Sequence, residues 1–522
     1  MKGGFRQRMA WLHNWAGLVA GWLLFAMFVT GTLAVFRPEI TQWMRPDAVI
    51  APVDQGRALD AAEQYLRGHA ADAARWFIRL PTARDGALAL YWAGRDGNWH
   101  EARLDPNTRQ PVAQRDTLGG EFFYRFHFEL QMPYPWGRWL ASFAGMAMLV
   151  VLVSGIVTHR RFFKDFFTFR PNKAAQRAWL DAHNALGVLA LPFHLAITYS
   201  GVITLMALTM PAALDARYGQ DSAAFYAERG GEPPVLAPAG VARPLQPLRP
   251  LADAARRHWG DGDIGVVVVG APGDANARVS VLQADTAQLR IVGAMAVFDG
   301  TDGRLLQVMD APRAVALTHD VVYGLHTARF ADGGLRWLYF LCGIAGSLMI
   351  ASGLVLWTVK RRQRDAKAGR VGVGTRVVEA LNVAAIAGLP LAIAAFFWGN
   401  RLLPLAQPQR AQAEVLCFFG AWALAAVHAA LRPARAAWPV QLWLGAALFA
   451  LLPLVSALTT GHWLPGALLH GRWVEAGFEL TALAAAAALG WAGYKFRRAA
   501  GRPVVAPRDT PRAGTRLLED TP

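Results

Sequence analysis

Long apolar runs alternate with polar stretches along this chain, and that alternation predicts its architecture. A helix that crosses the hydrocarbon core of a bilayer needs roughly 20 apolar residues. Eight segments satisfy this requirement, at about 12–36, 138–158, 184–208, 335–358, 377–399, 413–431, 439–458 and 473–495. The first run is too long for the apolar core of a signal peptide, and no A-x-A-like cleavage site follows it. The pattern therefore predicts a mostly α-helical, polytopic membrane protein with about eight transmembrane helices.

The composition agrees with a chain embedded in a lipid bilayer. Of 522 residues, 54% are hydrophobic and 17% are charged, whereas soluble proteins carry about a quarter charged residues. The net charge of +16 comes from Lys and Arg clustered beside apolar runs, which is typical of a membrane protein, so we expect no nucleic-acid partner. The two cysteines, Cys342 and Cys417, lie in apolar runs, which excludes a disulfide scaffold and a cysteine-ligated cluster.

The basic loops predict how the chain is oriented. With eight helices, all of them fall on one side: the N-terminus, 159–177, 360–376, the loop with Arg432 and Arg435, and the tail from Lys495. Cytoplasmic loops carry an excess of Lys and Arg. We therefore expect an inner-membrane protein with both termini in the cytoplasm and two long periplasmic inserts, at about 37–137 and 209–334.

Each insert has the pattern of a small α+β module. The first has an amphipathic helical pattern at 57–68 and the second at 251–259. Strand patterns follow at 76–80, 87–92 and 99–104 in the first insert and at 264–269, 278–283 and 294–299 in the second. Residues 230–250 are rich in proline and are expected to be a linker.

The chain contains an internal repeat. The motif H-N-x-x-G begins at His13 and again at His183, and eighteen residues after each histidine comes a glycine, Gly31 or Gly201. The copies close with similar helices, SGIVTHRR and SGLVLWTVKRR. An even number of spans in each copy makes the copies parallel, related by a pseudo-two-fold axis along the membrane normal. The predicted parts are repeat one at 1–175, repeat two at 176–365, a four-helix membrane extension at 366–498 and a disordered cytoplasmic tail at 499–522.

Histidines in the repeats are the candidate functional residues, because ionisable groups at membrane depth are costly. The candidates are four duplicated positions, His13, His183, His127 and His326, and two unduplicated ones, His194 and His159. His183 and His194 are eleven residues apart, which on one straight helix places both on one face, roughly 16 Å apart. That arrangement suits two stacked haems with axial imidazoles. No Cys-x-x-Cys-His motif is present, so any haem would be non-covalent and of b type.

The same histidines have plainer interpretations, and their pairing stays open. A lone histidine at a helix end is commonly an interfacial polar residue, whereas an unpartnered imidazole in the apolar run around His194 is expensive. Symmetry pairs His13 with His183 and His127 with His326, while depth also allows His194 with either of the latter two. No carboxylate lies at matching depth for a zinc site. His319 is a weaker candidate.

The sequence resembles a known family over about residues 5–365. The segments that carry the resemblance are LHNWAGLVAGWLLFAMFVTGTL, a helix-plus-strands module, a histidine-bearing segment and SGIVTHRRFFKDFFTFRP. Together they are similar to the PepSY-associated transmembrane family, which includes iron-regulated membrane proteins and FoxB-type ferric-siderophore reductases. The resemblance implies PepSY modules in the periplasm and two bis-histidine haem b groups, held by four of the six histidines. It further implies an oxidoreductase that moves electrons across the membrane to reduce ferric siderophore and release ferrous iron.

Other functions remain open at this stage. We find no G-x-G-x-x-G or P-loop motif, so a cytoplasmic or quinol donor is expected to be external. A non-enzymatic alternative is a PepSY membrane protein that binds a periplasmic partner or assists a siderophore or metal transporter. A third is a permease that uses helices five to eight, although few charged residues inside those helices argue against it. The aromatic residues around 122–136 are expected either to line an outer pocket or to anchor the chain at the interface.

Overall fold

The computed structural model describes residues 4–47, 53–82, 84–94, 97–158, 175–219, 236–260, 262–286, 288–309 and 314–500. Residues 501–522 of the predicted tail and residues 230–235 of the predicted linker lie outside these residues. The first repeat contains α1 (Phe5–Ala34), α2 (Arg37–Met44), α3 (Gln55–His69), β1 (Arg75–Arg79), β2 (Leu88–Ala93), β3 (Trp99–Asp105), β4 (Gln110–Pro111), α4 (Gly120–Glu129) and α5 (Trp136–Thr158).

The second repeat has the same order of elements after its first helices. It contains α6 (Ala175–Leu189), α7 (Leu191–Thr204), α8 (Met206–Thr209), α9 (Pro211–Tyr218), α10 (Leu248–Trp259), β5 (Ile264–Gly270), β6 (Arg278–Gln283), β7 (Met295–Asp299), β8 (Leu305–Met309), α11 (Ala314–Thr327) and α12 (Gly333–Lys367). The strand and helix patterns predicted in both inserts are therefore confirmed to within a few residues.

The first span of the extension is an α-helix interrupted by a π-helical turn. It contains α13 (Val373–Asn382), a π-helical turn (Val383–Ala387), α14 (Gly388–Leu402), α15 (Arg410–Leu431), α16 (Ala434–Thr460), α17 (Leu464–Leu469) and α18 (Trp473–Ala500). Residues 373–402 form one continuous span through the π-helical turn.

Seven helices in the described part of the chain are long and apolar enough to cross a membrane, which confirms a polytopic membrane protein. The third predicted span, 184–208, is not one straight helix. It is the pair α6 and α7, bent by 68° at a break around Ala190, and the chain has eight spans only if this pair counts as one. Pro192 lies in the first turn of α7, where proline is tolerated but cannot continue a preceding helix. The predicted single face carrying His183 and His194 is therefore wrong, because the two histidines lie on different helices.

The two inserts share one sheet, which the sequence patterns did not predict. The eight strands are ordered β4-β3-β2-β1-β5-β6-β7-β8, so two four-stranded halves meet at an antiparallel β1–β5 seam. Along this seam Trp76 and Ile78 alternate inward, and so do Val267 and Val269 on the partner strand. Helices α3 and α10 cover that face and contact each other. Burial across the seam makes the two inserts one domain rather than two independent modules.

The helices of the repeats pack as two equivalent sets. Helix α1 packs against α5 and α4 in the first repeat, while α6 packs against α12 and α7 packs against α11 in the second. Helix α1 also packs against α12, which joins the two copies. Because α6 and α7 together take the place of α1, the bend alters the second copy without removing the equivalent contacts.

Candidate cofactor site

Two histidines face each other where α1 meets α6. The ring centres of His13 and His183 are 6.2 Å apart. The Nδ1 atom of His13 lies 2.9 Å from the carbonyl oxygen of Val151, and that of His183 lies 2.9 Å from the carbonyl oxygen of Met349. A carbonyl only accepts, so each Nδ1 carries the proton and each Nε2 is left with its lone pair for a ligand.

A second pair lies near the other end of α1, on the side of the sheet. The ring centres of His127 on α4 and His326 on α11 are 5.9 Å apart. Their Nδ1 atoms lie 2.8 Å from the carbonyl oxygen of Met27 and 3.0 Å from that of Ile197. Burial lowers the pKa of His127, and lowers that of His326 to about 3, where His127 adds a second, electrostatic effect. Both rings are therefore neutral near pH 7, which is the form that binds iron.

The two pairs follow the internal repeat contact by contact. Met27 and Ile197 occupy equivalent positions in the two copies, as do Val151 and Met349. Each therefore offers the same carbonyl to an equivalent histidine. The duplication holds four imidazoles in the same tautomer, and it does so through backbone groups that no side-chain substitution removes.

A glycine lies against each of the four rings. A Cβ built on Gly31 would be 2.6 Å from His127, and one on Gly201 would be 2.9 Å from His326. At Gly155 and Gly353 the corresponding distance to His13 and His183 is 3.1 Å. Glycine permits this close approach of helix backbone to ring. The repeated glycines noticed in the sequence thus have a physical role beside the histidines.

Each pair borders a cavity. The His13–His183 cavity has a volume of about 630 Å³ and the His127–His326 cavity about 190 Å³. Leu24 and Met148 line both cavities and separate them. Basic side chains lie at their edges: Arg6, Arg177 and Lys360 at the first, and Arg37, Arg84 and Arg329 at the second.

The separation of the rings fits a metal held between two imidazoles. A metal–nitrogen distance of about 2.0 Å on each side, with about 1.1 Å from nitrogen to ring centre, places ring centres about 6 Å apart. Along α1, His13 and Met27 are fourteen residues apart, so the two pairs lie about 21 Å apart along that axis. Among the described residues, no group of three or more His, Cys, Asp or Glu side chains is arranged to hold a bare metal ion. Pairs of imidazoles beside apolar cavities instead match a planar cofactor with axial ligands.

His194 is buried but does not line either cavity. Its ring packs edge-on to Phe28 and lies beside Gly346 of α12. Neither ring nitrogen has a hydrogen bond of ordinary geometry to the described residues, although the Cys342 backbone lies nearby. Its role as a ligand stays a prediction, and the structure does not bring it together with the other four. His159 lies outside the described residues.

The aromatic residues predicted to line an outer pocket lie in three different environments. Tyr124 lines the His127–His326 cavity. Phe122, Phe123 and Phe126 point the other way and are buried against the extension. Trp136 is exposed.

Sequence reasoning also missed a buried polar cluster in the extension. Arg401, Arg410 and Glu414 are almost fully buried, although the sequence indicated few charges inside these helices. They occupy the ends of apolar runs, where a charge is ordinarily solvated. Only the fold shows that the connection before α4 covers them.

A duplicated helix bundle with two histidine pairs at different depths, beside one shared eight-stranded sheet, defines the class as a polytopic membrane protein with an internal repeat. The chain belongs to the family described as PepSY-associated TM region, whose model matches residues 10–360. It is also similar to an uncharacterized protein of Pseudomonas aeruginosa, with 29% identity over 409 residues. That match covers 73% of this chain and 96% of the relative.

Proposed function

We propose that each histidine pair holds one haem b and that the protein carries electrons across the bacterial inner membrane to ferric siderophore in the periplasm. The observation that carries this proposal is the duplicated pair of imidazoles at 6.2 and 5.9 Å, each ring with Nδ1 bonded to a carbonyl. Such a bond fixes the ring's tautomer and orientation and makes Nε2 a better ligand.

Haem iron supplies a one-electron couple when it is bound. The residues of this chain set the conditions for that couple. Leu18, Leu24, Met148 and Leu152 give the larger cavity an apolar lining, and such a lining keeps water away and favours the less charged state. The basic side chains at the edges are suited to the carboxylates that haem carries.

The His127–His326 cavity faces the sheet, so we assign substrate reduction to that side. A ferric chelate docked there accepts one electron, and the donor at the other end is oxidised by one electron for each ferrous ion released. Chelators made for hard Fe³⁺ hold Fe²⁺ more weakly, so reduction frees the metal. The donor is cytoplasmic or a quinol, which fits the basic loops on the side of His13.

Visible spectroscopy of the purified protein tests the cofactor. Reduced-minus-oxidised spectra should show a b-haem α-band, with about two haems per chain. His13→Ala and His127→Ala should each remove about one haem, because each breaks a different pair. A protein made with ample haem that shows no α-band would end this proposal.

Reoxidation by substrate tests the reaction separately. We expect a ferric siderophore to reoxidise the dithionite-reduced protein, with a ferrous chelator trapping one Fe²⁺ per electron. Haem without such reoxidation would leave an electron carrier with another acceptor. Absence of both would favour the non-enzymatic alternative, a membrane protein that binds a periplasmic partner or assists a transporter.

A further inference from the structure

The extension packs against both repeats, and in the first it contacts α4, the helix that carries His127. Phe122 of α4 stacks on Phe396 of α14 with ring centres 4.6 Å apart, and its ring lies 4.9 Å from that of Phe418. Phe126 lies 5.8 Å from Phe418 and is 4% exposed. The face of α4 that carries these phenylalanines is therefore packed into the extension.

Among the described residues, no aromatic cluster of this kind covers the equivalent face in the second repeat. The counterparts of Phe122 and Phe126 are Val321 and Leu325 of α11. Leu325 is 41% exposed. Phenylalanine occupies these two positions only in the copy whose histidine-bearing helix packs against the extension, so the sequence difference matches the difference in packing.

A buried polar cluster joins the extension to the connection before α4. The Thr117 hydroxyl donates to the Glu414 carboxylate, which also pairs with Arg410 and accepts from the Asn400 amide at 2.8 Å. Arg115 forms a bidentate pair with Asp47, at 2.7 and 3.0 Å, and donates to the Asn400 carbonyl at 3.1 Å.

The same cluster reaches α2. Arg401 donates to the carbonyl oxygen of Trp43 at 2.7 Å, and its guanidinium lies 3.7 Å above the Trp43 ring. Trp43 in turn stacks on Phe478 of α18 at 3.9 Å. The charged groups in the cluster are paired with one another or bonded to carbonyl oxygens. The cluster therefore joins α2 and the connection before α4 to the extension.

We infer that the four-helix extension braces α4 and thereby fixes the position of His127, with Thr117, Glu414 and Phe122 as positioning residues. Buried hydrogen bonds to charged groups are among the stronger ones in proteins, and removal of one partner leaves the other without compensation. In the described part of the chain, the extension restrains the helix of His127 and not that of His326. The two histidines of this pair therefore differ in how firmly their helices are held.

Hydrogen–deuterium exchange of the full-length protein tests the brace. Thr117→Val keeps the side-chain shape and removes the hydroxyl, which donates to Glu414 and also accepts from the Gly119 amide at 3.0 Å. We expect amides 120–129 to exchange about tenfold faster, and Glu414→Gln, which leaves the Gly119 bond in place, to accelerate the same amides. Amides 314–327, in the unbraced equivalent helix, should exchange at the wild-type rate. Thr117→Ser should restore the wild-type exchange of α4, and Phe122→Leu should loosen it through the packing side.

Thr375→Val is the matched control. Thr375 is buried and donates to the Asp365 carboxylate at 2.7 Å, so the change removes the same kind of bond where α13 meets α12. It should leave α4 exchange unchanged. Unchanged α4 exchange in both Thr117→Val and Phe122→Leu, or equal acceleration of α4 and α11, would overturn the inference.

A spectroscopic readout links the brace to the cofactor and rests on the proposed function. In haem-loaded protein, Thr117→Val should shift the electron paramagnetic resonance signal of one haem and leave the other unchanged, with recovery in Thr117→Ser. If the protein binds no haem, the proposed function is wrong and this spectroscopic test does not apply. The hydrogen–deuterium exchange experiment still tests whether the extension braces α4. A signal unchanged in both haems would contradict the positioning of His127.

Discussion

Gly31→Ala should selectively weaken cofactor binding at the His127–His326 pair. A methyl group at this position would lie 2.6 Å from Nδ1 of His127, so the ring must withdraw by about 0.8 Å to regain ordinary contact at 3.4 Å. The carbonyl of Met27, which bonds the same Nδ1 at 2.8 Å, lies on the same helix as Gly31. Withdrawal of the ring therefore stretches that bond beyond hydrogen-bonding distance.

The two effects add to a measurable loss. Overpacking costs about 1–3 kcal/mol, and the lost hydrogen bond costs about 1 kcal/mol. A combined cost of about 2–4 kcal/mol corresponds to roughly 30- to 1,000-fold weaker binding. At Gly155 the built Cβ is 3.1 Å from the His13 ring, so Gly155→Ala should weaken the other site less than tenfold.

Haem titration of the apoprotein, with the α-band as signal, measures these affinities. Gly420→Ala is the control, because a Cβ there meets nothing within 4 Å and Gly420 lines neither cavity. The monodispersity of each variant on size exclusion shows that it folds. Gly31→Ala protein that binds two haems with wild-type affinity would contradict this prediction, as would an equal loss of affinity in Gly420→Ala.

Three further predictions follow from other parts of the molecule. His194→Leu should retain both haems while His183→Ala loses one, because His194 lines neither cavity; pyridine haemochrome assays count them. Val267→Ala at the buried β1–β5 seam should destabilise the sheet by about 1–3 kcal/mol, seen as a lower Tm, and an unchanged Tm would show that the seam contributes little. Hydrogen bonding from Arg115 lowers the pKa of Asp47 below its usual 3.8, so the stability from this pair is present above that value and lost as pH falls through the lowered pKa. Asp47→Asn protein should therefore lose less stability than the wild type as the pH falls below 3.8. An equal loss in both proteins would argue against a stabilising Asp47–Arg115 pair.

The candidate site was largely predictable because the chain repeats itself. The duplicated positions of His13, His183, His127 and His326 were visible as spacing, and symmetry already favoured the pairs that the structure contains. His194 was a candidate because of its apolar neighbours and its eleven-residue spacing from His183, and the bend between α6 and α7 removes the second reason. Burial of an imidazole is a local property that sequence can indicate, whereas the partner of that imidazole depends on helices far away in the chain.

Patterns within the chain were enough to predict the spanning helices, the strands of both inserts and the internal repeat, because apolar runs, period-two alternation and duplicated motifs can be recognised without knowledge of the fold. Three other features depend on contacts between residues far apart in the chain. The bend at Ala190 depends on how α6 and α7 pack on separate neighbours, and the single sheet depends on an edge-to-edge contact between β1 and β5. The buried cluster around Glu414 depends on residues about 300 positions earlier, which bring hydrogen-bond partners to charges that would otherwise face water.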